Sequence, residues 1–308
     1  MSMVSKLKRK IISTKKTGFS EEFKKIHLFQ GNLFDRIVND KKATNLYTDK
    51  LKSGVNVCLT FEHDESQKVK YHFKYNSDRL LLLRGTSINN KMVISENSIP
   101  DFAISAKPLN ANCKPAWIPQ HGSVSGVTTR NEIDIICNVS YFTINQSFCA
   151  VNPNEPNEIM WKHHVTHKVT VDKPYLEISN QIEIVQDTEI NRMYLTMLPA
   201  NSKNVNHLYL SNGIMYDKIP NDGVEIKFNE NISSAMYVGG RKNGLFNAIA
   251  VGSDSEKESS VVTFREDGIT KFYVNEFCGI ARKGAIFKNT QRIACVSGLE
   301  IPDLISIN

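Results

Sequence analysis

The sequence predicts an all-β protein, a large antiparallel β-sandwich with a short helical segment near its N-terminus. Three observations carry this reading. After Asn45, runs of residues alternate apolar and polar with period two, as strands with one buried face do. Asn-, Asp- and Gly-rich turns separate those runs. The runs follow no fixed repeat length, which argues against a propeller or a β-solenoid. Sheets patterned in this way cover their apolar faces by stacking on one another.

Residues 1–18 read as a basic flexible leader. Lys6, Lys8, Arg9, Lys10, Lys15 and Lys16 occur there without one acid and account for much of the net charge of +6. Such a tail suits nucleic acid or an anionic membrane, but no helix-turn-helix, finger or aromatic RNA-binding motif accompanies it. Nucleic acid is therefore not an expected partner. The leader also lacks the apolar core of a secretory signal, so a cytoplasmic location is expected, with virion or surface assembly as the alternative. No apolar run reaches the roughly 18 residues of a membrane span, and no membrane partner is expected.

Residues 19–38 place Phe19, Phe23, Ile26, Leu33, Phe34 and Ile37 near helical spacing, with Gly31 breaking the run. An amphipathic start of this kind packs on the body or on a partner chain, in a homo-oligomer or a larger assembly. Strands then follow: "VNVCLTFEH", "KVKYHFKY", "RLLLLRG", "EIDIICNVSYFTI", "IMWKHHVTHKVTV", "YLEISNQIEIV", "NRMYLTML", "GVEIKF", "SAMYVGG", "NAIAVG", "SVVTFRE", "ITKFYVNEF" and "RIACVSG". The apolar run "RLLLLRG" reads as a strand covered on both faces. No Pro/Ser-rich linker interrupts the series, so residues 19–308 are expected to form one domain.

Six scattered cysteines form no C-x-x-C pair, and a chain of 308 residues needs no disulfide framework. They read as free thiols, mostly buried. No metal site and no cofactor are expected.

The segment "MWKHHVTHKVTV" raises the sharpest chemical question. On a helix, His163 and His167 would share a face at zinc-binding spacing. The surrounding Val165, Thr166, Val169, Thr170 and Val171 favour a strand instead. On that strand Trp161, His163, Val165, His167 and Val169 share one face, buried or cavity-lining, where both imidazoles need partners or a ligand. Upstream, "CKPAWIPQHGSVSG" sets Trp117 and His121 in a loop before a strand, a candidate groove rim. Trp117, Tyr141, Trp161, Tyr194 and Tyr273 are candidate platforms for the apolar faces of sugars. "GSVSG" is centred on Val124 and is no nucleophile elbow, and "VGGRKNG" lacks the ending of a phosphate-binding loop.

The stretch "TVDKPYLEISNQIEIVQDTEINRMYLTMLPAN", together with His121-Gly122 before it and "KFYVNEF" after it, resembles the aldose 1-epimerases, or galactose mutarotases. The resemblance covers about residues 115–300. It implies a β-supersandwich fold and a sugar ligand, with His121 in the position of a substrate-contacting His-Gly. That family pairs a His on the strand after its "T-x-x-N" turn with a late Glu. Here the strand reads "RMYLTMLPA" without His, and "GIARKGAIFKN" carries no Glu. His207 and Glu276 are the substitutes nearest in sequence. Mutarotation needs such a pair, because one group takes the anomeric proton while another protonates the ring oxygen.

The expected function is thus carbohydrate recognition, either as an aldose 1-epimerase-like isomerase or as a non-catalytic glycan-binding or structural module such as a phage tail or surface component. The catalytic candidates are His121, His207 and Glu276. Trp117, His163, His167, Arg192 and Tyr194 are the substrate-binding candidates. A polysaccharide lyase, built on Tyr194 beside Arg192, is a further alternative.

Overall fold

The computed structural model describes residues 12–13, 25–29 and, with short gaps that include 120–125, residues 57–298; side chains are described from Tyr71 onward. Every regular element among the described residues is a strand. In chain order they are β1 (Ile12–Ser13), β2 (Lys25–Phe29), β3 (Val57–His63), β4 (Gln67–Tyr75), β5 (Leu81–Ile88), β6 (Lys91–Ile94), β7 (Ala103–Pro108) and β8 (Ala116–Ile118). There follow β9 (Thr128–Cys137), β10 (Tyr141–Asn152), β11 (Glu155–Thr170), β12 (Tyr175–Ile184), β13 (Thr188–Asn201), β14 (His207–Leu210) and β15 (Met215–Tyr216). The last are β16 (Glu225–Phe228), β17 (Ser234–Val238), β18 (Phe246–Ser253), β19 (Ser259–Phe264), β20 (Ile269–Ala281) and β21 (Ile286–Gly298).

These strands make two antiparallel sheets. One has twelve strands in the order β1-β2-β3-β4-β5-β6-β13-β20-β19-β16, with β7 paired to β13 and β8 paired to β7. The other has nine, in the order β15-β14-β17-β18-β21-β12-β11-β10-β9. Both sheets contribute to one apolar interior that includes Phe73, Phe102, Phe142, Trp161, Tyr237 and Phe272. The predicted sandwich is therefore the observed architecture.

The helical segment expected over 19–38 is not observed. Its described part, Lys25–Phe29, is a strand that pairs antiparallel with β3, Ile26 lying opposite Phe61 and Leu28 opposite Leu59. A short helix is marginal by itself, and an open sheet edge offers the same backbone a full set of partners. The remainder of 19–38, and the leader apart from Ile12–Ser13, lie outside the described residues. The segment "EIDIICNVSYFTI", read as one strand, divides into β9 and β10, which pair with each other.

The face assignment of the histidine strand is seen directly. Along β11, Trp161, His163, Val165, His167 and Val169 are buried, whereas Lys162, His164 and Lys168 are exposed. Cys113, Cys149 and Cys278 are free; Cys149 is buried and Cys278 exposed. No helix among the described residues is long and apolar enough to cross a membrane.

The twelve-stranded sheet carries a seam. β6 meets β13 at one residue pair, Ala200 opposite Ile94, and β5 meets β6 only over Thr86–Ile88. On the side of β5 away from β4, the N–H groups of Leu81 and Leu83 are thereby left without a partner strand, and buried side chains supply the missing acceptors. Gln146 of β10 accepts from the Leu81 N–H and donates back to the Leu81 carbonyl, both at 2.7 Å. Asp101 accepts from the Leu83 N–H at 3.1 Å. Buried backbone groups must be paired, and here side chains take the place of a ladder.

Candidate functional site

The interior polar layer explains the two histidines. His167 and Asp101 are both fully buried, and His167 Nε2 contacts Asp101 Oδ1 while the ring of Phe73 stands edge-on to the imidazole at 5.3 Å. His163 Nε2 bonds Asn180 Oδ1 at 3.0 Å, and its ring lies 4.3 Å from Phe102 and 4.8 Å from Phe148. Burial lowers the His163 pKa to about 3, against a small opposing contribution from Asn180, so this ring is neutral at ordinary pH. Gln291 Nε2 donates to the carbonyls of Pro100 at 2.8 Å and Asp101 at 3.0 Å. Both imidazoles thus belong to a network that holds the two sheets together across the seam. Their Nδ1 atoms have no hydrogen-bond partner among the described residues.

A groove lies elsewhere, on the outer face of the twelve-stranded sheet. It encloses about 230 Å³ and is lined by Ala103 of β7, Trp117 of β8, Arg192, Tyr194, Met197 and Pro199 of β13, Glu225 of β16, and Lys271 and Tyr273 of β20, with Pro119 following β8. Thr270 of β20 contacts Tyr237 of the opposite sheet, and Phe272 and Val274 are fully buried. Lys271 and Tyr273 alternate with these residues and therefore face outward.

The groove owes its wall to an irregular β13. Strict alternation from Arg192 and Tyr194 would continue through Thr196 and Leu198. Register shifts against β20 between Ile190 and Thr196 reverse the phase. Met197 and Pro199 then share the outer face with Arg192 and Tyr194, while Thr196 turns inward and accepts a hydrogen bond from Asn289 at 3.1 Å. Two N–H groups in this stretch bond to side-chain carbonyls: Met193 to Asn275 at 3.3 Å and Met197 to Gln291 at 3.2 Å.

Three aromatic rings run through the groove. Trp117 stacks on Tyr194 with centroids 6.2 Å apart and planes inclined by 19°, and Tyr194 stacks on Tyr273 at 4.7 Å and 23°. Trp117 is 39% exposed and forms the rim. Arg192 Nη1 donates to Tyr194 Oη at 3.3 Å. Burial pushes the Tyr194 phenol up, with Arg192 pulling the other way, so both Tyr194 and Arg192 carry their protons at neutral pH.

Of the residues singled out from sequence, Trp117, Arg192, Tyr194 and the platform candidate Tyr273 meet in this groove. His163 and His167 face the interior instead. His207 stands on β14 of the nine-stranded sheet, opposite Val238. Glu276 falls on the inner side of β20, where its Oε1 accepts from Asn289 at 3.1 Å. His121 lies outside the described residues. Among the platform candidates, Trp161 is fully buried, and Tyr141 lies on the nine-stranded sheet with the Lys168 ammonium 5.9 Å from its ring centre. Glu225 and Lys271 gave no sequence signal, since each sits in an ordinary alternating strand. No group of three or more metal-ligating side chains occurs among the described residues.

Two stacked antiparallel sheets make a large β-sandwich, with an aromatic groove on the outer face of the larger sheet. Solved structures similar to this chain include galactose mutarotase-like proteins and α-galactosidases. The α-galactosidase from Lactobacillus brevis is 8% identical, with a TM-score of 0.50 over 80% of this chain and 40% of that one. The galactose 1-epimerase from Lactobacillus acidophilus is 11% identical, with a TM-score of 0.44 over 79% of this chain and 95% of that one. A galactose mutarotase-like protein from Lactobacillus casei is 9% identical, with a TM-score of 0.45 over 78% of this chain and all of that one. The chain spans about 40% of the length of the α-galactosidases it matches. At such identities the likeness is one of fold. No protein-family model and no curated protein sequence matches the chain.

Proposed function

We propose that this chain is a carbohydrate-recognising protein whose ligand lies in the Trp117–Tyr194–Tyr273 groove. The carrying observation is the exposed Trp117 ring at the mouth of an aromatic stack, with a guanidinium, an ammonium and a carboxylate in the same walls. Flat rings offer dispersion contact to sugar C–H faces, and charged groups bond hydroxyls in defined directions. Titration calorimetry and a glycan array with the full chain test the reading. Trp117→Ala is expected to weaken binding about tenfold, as truncation of an aromatic anchor does. Binding unaffected by that substitution sets the groove reading aside.

Recognition without turnover is the reading favoured within this class. Its support is the separation of the catalytic candidates: Glu276 bonds Asn289 on the inner side of β20, and His207 stands on the other sheet. An aldose 1-epimerase-like activity in this groove would instead draw its acid and base from Tyr194, Tyr273 and Glu225. NMR anomeric-exchange measurements on free sugars separate the two. Exchange accelerated by the wild type and abolished by Glu225→Gln supports the isomerase, whereas binding without acceleration supports the module.

A further inference from the structure

We propose that the groove takes an anionic saccharide, a sugar chain carrying carboxylate or sulfate groups. This rests on the groove reading above and assigns its ligand class. Glu225 lies opposite Thr263, Thr263 opposite Lys271, and Lys271 opposite Pro199, so these positions form one row across four strands. The neighbouring row runs from Lys227 through Val261 and Tyr273 to Met197. Residues in adjacent rows, two apart along a strand, share a face. Lys227 therefore projects on the groove side beside Glu225, and its Nζ lies 3.9 Å from Glu225 Oε1.

Glu225 is the one carboxylate in the groove wall among the described residues, and it is shared. Lys227 contacts it, and its charge also acts on Arg192. Against this single negative charge stand Arg192, Lys227 and Lys271. Among the described residues these cations outnumber the carboxylate, and they are distributed around the aromatic stack. Arg192 has five N–H donors in a planar fork, of which the bond to Tyr194 uses one. That fork matches a carboxylate or sulfate with two parallel hydrogen bonds, which a neutral hydroxyl cannot accept in the same geometry. The Tyr194 phenol holds the guanidinium against the stack, so an anion bonded to it lies next to the rings that carry the sugar faces.

The test compares ligands that differ in charge alone. Oligosaccharides of galacturonate and glucuronate are titrated beside their methyl esters, and sulfated oligosaccharides beside their desulfated forms. At least one acidic form is expected to bind about tenfold more tightly than its neutral counterpart, and which pair responds distinguishes carboxylate from sulfate. That preference falls as salt is raised. Arg192→Gln moves the acidic-to-neutral ratio toward one, and Lys227→Glu lowers it. Neutral forms that bind as tightly as acidic ones overturn the proposal and leave the groove reading standing. If no saccharide of either charge binds, both fall.

Discussion

Protonation of His163 offers a quantitative probe of the polar interior. The ring is fully buried between Phe102 and Phe148, and burial takes its pKa from the ordinary 6.5 to about 3. In the unfolded chain the imidazole gains a proton as pH falls through 6.5, while in the folded chain it stays neutral until about 3. The unfolded state thus binds more protons throughout this window, and the stability present above pH 6.5 is lost on acidification. Each pH unit below the unfolded pKa removes about 1.4 kcal/mol, so lowering the pH from about 8 to about 5 costs about 2 kcal/mol from this residue alone. Other groups titrate as well: burial raises the Asp78 pKa, which acts in the opposite direction, and Asp187 is lowered by its bonds to Lys283 and Arg282. A comparison with His163→Gln cancels these contributions. Urea denaturation of both proteins across the window is expected to show the wild type losing about 2 kcal/mol more than the variant. Parallel pH profiles would refute the assignment of a neutral, enclosed imidazole.

Other substitutions probe the remaining parts of the fold. Trp161 is fully buried in the core, and Trp161→Ala is expected to cost about 3–5 kcal/mol in denaturant unfolding. Trp117→Ala, at the exposed rim, is expected to change stability by less than about 1 kcal/mol while weakening saccharide binding, a contrast that calorimetry and urea melts resolve together. Gly126 adopts φ of +88°, has open space around it, and donates its N–H to Asp78 at 2.7 Å. Gly126→Ala should therefore cost about 1–2 kcal/mol through backbone strain alone, without any steric clash.

Much of the fold was legible in sequence because each half-buried strand writes its period into its own residues. The β11 assignment shows this well: alternation alone placed Trp161, His163, Val165 and His167 on the buried face. The same alternation left open what lay opposite that face. Whether an imidazole meets a sugar or an Asp101 carboxylate depends on a partner 66 residues away. The groove was legible for Trp117, Arg192, Tyr194 and Tyr273, whose side chains suit ligand contact. It was not legible for Glu225 and Lys271, which reach it only through the β16-β19-β20-β13 order. The phase reversal in β13 was also hidden, because "NRMYLTMLPA" is nearly continuous in apolar residues beyond Arg192 and carries no mark of the residue at which the face changes. At Lys25–Phe29, local helical spacing lost to a long-range pairing.

Gln291 connects the interior layer to the groove, and its substitution tests whether the two act as one unit. The side chain is fully buried on β21, donates to the carbonyls of Pro100 and Asp101, and accepts from the N–H of Met197 at 3.2 Å. Met197 lies where β13 has changed phase, so the bond holds the strand in the register that brings Met197 and Pro199 beside Tyr194. Gln291→Leu preserves volume approximately but leaves one buried N–H and two carbonyls to find other partners. At about 1–3 kcal/mol for an unsatisfied group, and with some relaxation, a total loss of about 2–5 kcal/mol is expected in urea unfolding. Saccharide binding should fall as well, although Gln291 touches no groove surface, because β13 regains freedom to slip toward regular alternation. Trp161→Ala provides the control, being buried and costly but carrying no bond to β13. If Gln291→Leu lowers stability as Trp161→Ala does and leaves binding at 4 °C unchanged in both, the phase of β13 is set by its own packing and the coupling drawn here is wrong.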